Sequence, residues 1–90
     1  QEQYRQLRLY ALEAMAKRLT SAGRHGEAVT AGLAAVRAEP LRESAHRVLI
    51  DAHLAAGNRG AAAHQYEQCR RVLLDDLGLE PSDAFRNLLP

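Results

Sequence analysis

Apolar residues recur along the chain at helical spacing, in five blocks. Over residues 3–22 the spacing predicts a helix with a stripe of Leu12, Met15, Leu19 and Ala22. Over 25–39 the stripe is Ala28, Val29, Gly32, Leu33 and Val36. Over 41–56 it is Ala45, Val48, Leu49, Ala52 and Ala56. Over 59–77 it is Ala62, Tyr66, Cys69, Leu73 and Leu77. A fifth, shorter helix is predicted over about 82–89, with Ser82 as its N-cap and Phe85, Leu88 and Leu89 as its apolar side. No run alternates apolar and polar residues as a half-buried strand would.

The punctuation between blocks is sparse: Gly23, Pro40, Gly57, then Gly78 with Pro81. The last stop is the most explicit, in the stretch LLDDLGLEPS. Gly78 can adopt the left-handed conformation at the helix end, Leu79 can fold back on Leu73 or Leu74 as in a Schellman stop, and Pro81 blocks continuation. The i,i+4 pairs Glu13–Lys17, Glu43–Arg47 and Arg71–Asp75 are placed to support their helices.

A shift of 34 residues lays AGRHGEAV (22–29) on AGNRGAAA (56–63). That period is the tetratricopeptide period, an antiparallel helix pair with a tight turn. From Gly57 the resemblance runs through Ala62, Tyr66 and Cys69. From Gly23 it runs through Ala28, Gly32, Ala35 and Pro40. Small residues at Ala28, Ala35, Ala62 and Cys69 let two helix backbones approach. Gly32 departs from the pattern, which usually has an aromatic there. Leu12, Leu19, His46 and His53 stand where aromatics are typical, so the units are degenerate. The expected fold is all-α, a tetratricopeptide-like array of antiparallel helix pairs with about five helices. The 90 residues are one helical domain: repeat one about 9–42, repeat two about 43–80, terminal helix about 82–89. The first residue is Gln rather than Met, and the chain is read as a piece of a longer protein. About three repeats are needed to bury such faces. Apolar surface is therefore expected at the ends, from Tyr4, Leu7, Leu9 and Tyr10 and from Phe85, Leu88 and Leu89.

Charge adds an exclusion. The net charge is +1 and the pI about 8.2, without the clustered basic surface that nucleic acid requires. A single cysteine allows no intrachain disulfide, and the cytoplasm is the default compartment. No run is long and apolar enough for a membrane span.

Chemistry is thin. His46 and His53 lie seven apart on one face, a spacing that suits helix packing better than metal binding. Cys69 sits mid-helix where a small residue is needed and reads as a packing thiol. Asp75, Asp76 and Glu80 read as a solvated helix end, although acids there oppose the helix dipole. No catalytic residue, metal site or cofactor is expected, and the chain is read as no enzyme. The remaining candidate is a protein-interaction groove, since the first helix of each tetratricopeptide pair lines the concave surface. Its residues are Tyr10, Glu13 and Lys17 on one helix and Arg47 and Asp51 on the next. Each cation has an acid four residues away, so the groove is expected to be self-compensated.

Longer phrases carry a second resemblance. PLRESAHRVL (40–49) and AGNRGAAAHQYEQCRRVLLDDLGLEPSDAFRNL (56–88) resemble the C-terminal part of the bacterial transcriptional activator domain of Streptomyces antibiotic regulatory protein-type regulators. The resemblance implies a non-catalytic regulatory module mediating domain packing, self-association or contact with the transcription machinery, RNA polymerase included. It also implies a winged-helix DNA-binding domain in the parent chain, with no direct DNA binding by these residues. A free-standing peptide-binding scaffold is the alternative.

Overall fold

Each predicted block folds as a helix, and the single-residue stops decide where each ends. The computed structural model describes residues 1–89, and among them there is no strand. The elements are α1 (Glu2–Ser21), α2 (His25–Ala38), α3 (Glu43–Ala55), α4 (Arg59–Leu77) and α5 (Asp83–Arg86). They form antiparallel pairs joined by short turns, α1 with α2 and α3 with α4.

Two turns share one construction. Gly23 and Gly57 have φ of 75° and 83°, values L side chains rarely adopt. Gly23 N–H reaches the Thr20 carbonyl at 3.1 Å and Arg24 N–H reaches Leu19 at 2.9 Å. Gly57 and Asn58 repeat this on Leu54 and His53, at 3.0 and 2.9 Å. Both are Schellman closures. The end of α4 keeps the expected left-handed glycine and return to Leu73, with a bond pattern unlike the other two. Gly78 is left-handed, at φ 66°, but its N–H bonds Leu74 at 2.9 Å, while Leu79 N–H bonds Leu73 at 3.2 Å. The backbone alone makes the return, and the Leu79 side chain stays half exposed.

Two boundaries also differ. α3 begins at Glu43 rather than 41, because residues 39–42 close a turn. Arg42 N–H bonds the Glu39 carbonyl at 3.2 Å, and Leu41 N–H bonds the Glu39 carboxylate at 3.2 Å. The fifth helix is one turn, not eight residues. Ser82 caps it, its Oγ accepting from Phe85 N–H at 3.2 Å, and Leu88 N–H then bonds Phe85 in a tighter turn.

α3 is the central element, packing on α1, α2 and α4. It buries Ala45, His46, Val48, Leu49, Ile50 and Ala52. On one side Ala16, Ala31 and Val48 meet, with Leu19 against them. On the other, Ile50, Ala62, Cys69, Leu73 and Phe85 form the larger cluster. Phe85 stacks on Tyr66 with ring centroids 5.1 Å apart. Burying Phe85 contributes about 2–3 kcal/mol, which fixes so short a helix to the array.

The stripe of α1 is rotated from the expected one. Leu9 and Ala16 are buried, whereas Met15 and Ala22 are exposed. α1 is apolar on both sides, so spacing alone does not choose the inner face. Glu13 marks that face: an acid turned inward, for the reason given below. The ends differ as well. Leu9 and Phe85 are each 1% exposed and belong to the core. The large apolar side chains left in solvent are Tyr4, Leu7, Tyr10 and Met15 on α1, and Leu74, Leu77 and Leu79 at the end of α4.

Candidate interaction groove

Glu13 is the one acid among the buried residues. It does not pair with Lys17. Arg42, 29 residues away in the turn before α3, donates from Nε to its carboxylate, and Ser44 Oγ donates to the same oxygen at 3.0 Å. Arg42 also reaches the Gln6 side-chain oxygen at 3.3 Å and lies over the Tyr10 ring, 4.7 Å from its centroid. The Glu13 carboxylate raises the Arg42 pKa above its usual value. Tyr10, Glu13 and Arg42 thus clamp α1 to the start of α3, and Glu13 is withdrawn from the surface.

This corrects the self-compensated groove. Among the described residues Lys17 has no carboxylate within ion-pair distance. Arg47 and Asp51 do pair, loosely, at 3.9 Å. Burial raises the Asp51 pKa, with Arg47 and Lys17 opposing the shift. Lys17, Thr20 and Ser21 of α1 face Val48 and Asp51 of α3 across a cleft of about 280 Å³. The Thr20 hydroxyl is buried there without a hydrogen-bond partner. The structure therefore brings Lys17, Asp51 and, through Asp51, Arg47 together, and it assigns Tyr10 and Glu13 to the clamp.

Two other expected pairs are replaced. Glu43 turns from Arg47 and accepts from Ser82, from its N–H at 3.1 Å and from its Oγ. Arg71 lies 3.8 Å from Glu67, which Arg70 also holds, and among the described residues Asp75 has no ion-pair partner. Asp76 and Glu80 have none either among the described residues.

His46, His53 and Cys69 serve packing, while His64 is exposed. His46 is 2% exposed. The Pro40 carbonyl, 2.7 Å from Nε2, can only accept, so Nε2 carries the proton. Nδ1 then accepts from the Gln65 amide at 3.0 Å. Both nitrogens are used in the neutral form, and burial lowers the pKa. His53 Nδ1 is buried without a partner. Burial pushes the Cys69 thiol up to about 12. Among the described residues no three His, Cys, Asp or Glu side chains converge as a metal site would require. Among the described residues no helix is long and apolar enough to cross a membrane. Ala28, Ala62 and Cys69 are buried at the helix crossings, Tyr66 is half buried, Pro40 is exposed and Pro81 is buried.

The fold and groove define a class, a small helical-repeat module whose buried Glu13, His46 and Gln65 are bonded within its own architecture. The family model described as "Bacterial transcriptional activator domain" matches residues 1–89, and the chain belongs to that family. It is also 35% identical over 81 residues to the regulatory protein AfsR of Streptomyces coelicolor, a match covering 90% of this chain and 8% of that protein. No solved structure matches it.

Proposed function

We propose that this chain is a non-catalytic regulatory and protein-interaction module of a bacterial transcriptional regulator. It works by packing against other domains, by self-association or by contact with the transcription machinery. One observation carries the reading: Tyr4, Leu7 and Tyr10 of α1 are each more than 60% exposed, on a module that bonds its buried Glu13, His46 and Gln65 internally. Such surface favours a partner. A winged-helix DNA-binding domain in the parent chain and RNA polymerase are the expected partners, and this module makes no DNA contact of its own. The test is a double change, Tyr4→Ser with Leu7→Ser, in the full-length regulator. Activation of the target promoter is expected to fall while promoter binding persists; activation at the parental level would refute the reading.

A second reading, a peptide-binding scaffold, is supported by the free Lys17 and the unpartnered Thr20 hydroxyl in one cleft. It predicts that Lys17→Ala and Arg47→Ala abolish binding of peptides selected on the parental chain and leave the melting temperature unchanged. Retained binding would remove it.

A further inference from the structure

The two exposed apolar patches carry opposite charge. Tyr4, Leu7 and Met15 share one outward face of α1 with Ala11, at i, i+3, i+7 and i+11. Arg8 and Arg18 lie along that face, exposed and without an ion-pair partner among the described residues. The only other acid of α1 besides the buried Glu13 is Glu2, and Arg5 holds it. This patch is apolar and basic.

At the far side of the array, Leu74, Leu77 and Leu79 are exposed around the end of α4. Asp75, Asp76 and Glu80 lie among them, and residues 72–82 contain no Lys or Arg. The nearest cations in sequence on either side, Arg71 and Arg86, are held by Glu67 and Asp83. The last turn of α4 has no basic residue to offset its own dipole, so Asp75 and Asp76 stand where a negative charge is disfavoured. This patch is apolar and acidic.

We infer that a second copy of the chain docks head to tail, the α1 face of one molecule on the α4 end of the next. The inference rests on the reading of the chain as an interaction module and gives its self-association a geometry. Charge decides the mode. A two-fold contact would set α1 cations against α1 cations, or α4 acids against α4 acids. The heterologous contact sets Arg8 and Arg18 against Asp75, Asp76 and Glu80 and buries both leucine patches. α1 packs on α2 and α3, and α4 packs on α3, so the two patches belong to opposite flanks. Stacking copies extends the array in the way added repeats do. In an open stack of this kind one α1 face and one α4 end stay free.

Sedimentation velocity on the 90-residue chain tests this. The mean mass should climb continuously with concentration, without a plateau at two, and should fall when salt is raised from about 0.05 to about 0.5 M. Leu7→Asp and Leu77→Asp are separate variants at exposed positions, with folding checked by circular dichroism. Each alone should be monomeric. Mixed, they should form a one-to-one dimer that does not grow, since each retains one working surface. A Leu77→Asp variant that still dimerises alone would overturn the inference in favour of a two-fold α1 contact. A Leu7→Asp variant that does so would overturn it in favour of a two-fold α4 contact. A parental chain that stays monomeric at every concentration would also overturn it. That last result would leave the promoter test of the proposed function to stand or fall by itself.

Discussion

A methyl group placed on Gly32 of α2 would stand 3.0 Å from the Leu49 Cα of α3 and 3.1 Å from its Cβ. Such a methyl would meet the Leu49 backbone as well as its side chain, closer than ordinary contact, so the bare glycine sets how near α2 lies to the central helix. The aromatic usual at this repeat position is absent because there is no room for it.

Gly32→Ala therefore sets two effects against each other. Helix propensity favours alanine by about 1 kcal/mol. Overpacking against a backbone atom costs about 1–3 kcal/mol. The net expectation is a lower melting temperature, with Gly32→Val lower still. Gly26→Ala, in the same helix but with open space around it, should not destabilise. Thermal melts of the three variants decide the matter, and a Gly32→Ala protein as stable as the parent would disprove the close crossing.

The clamp makes a second prediction. Glu13→Ala leaves the Arg42 guanidinium without its buried partner and should cost about 3 kcal/mol. Lys17→Ala should stay within about 0.5 kcal/mol of the parent. A double-mutant cycle on Glu13 and Arg42 should give a coupling of more than about 1 kcal/mol, read from urea unfolding. Equal effects at Glu13 and Lys17 would restore the i,i+4 pair in place of the clamp.

His46 gives the stability a pH dependence of known sign. Burial lowers its pKa in the folded state below the ordinary 6.5. Below about pH 6.5 the unfolded chain takes up a proton that the folded site resists, because burial disfavours the charged ring. Stability is therefore complete above that pH and is lost as pH falls through it. Urea midpoints between pH 8 and pH 5 should show this decline. His46→Gln should flatten it, and a parental slope retained in the variant would show that His46 is not its source.

What the chain disclosed by itself follows from how local each cause is. The stops at Gly23, Gly57 and Gly78 were legible because one residue supplies the backbone freedom and its neighbours supply the bonds. The inner face of α1 was not, since Leu and Ala occupy both sides and the choice belongs to α2 and α3. One signal did exist. Leu9, Leu12, Glu13 and Ala16 fit the helical template, and an acid at a core position demands a cation from elsewhere. Sequence spacing offered Lys17 for that role, while the fold supplies Arg42 from a turn 29 residues away. The pairing in the groove has the same origin: pairs four residues apart compete with partners that only the tertiary structure brings near.

The joint after α4 supports the last prediction. Gly78 has φ 66° and nothing within 4 Å of where a Cβ would stand. Gly78→Ala therefore probes the backbone alone and should cost about 1 kcal/mol. Glu43→Ala probes a different part of the same joint, since Glu43 accepts from both the N–H and the hydroxyl of Ser82. Losing those bonds should free α5 and with it Phe85, whose ring closes the larger core cluster. The Glu43 variant should thus expose Cys69 beneath that cluster. The thiol is fully buried, with its pKa pushed up to about 12, and in the parent it should resist thiol reagents at pH 8. Labelling should accelerate in Glu43→Ala and much less in Gly78→Ala, if the latter leaves Glu43 and Ser82 in contact. Equal labelling rates in the parent and the Glu43 variant would mean that α5 is held by Phe85 without help from Glu43.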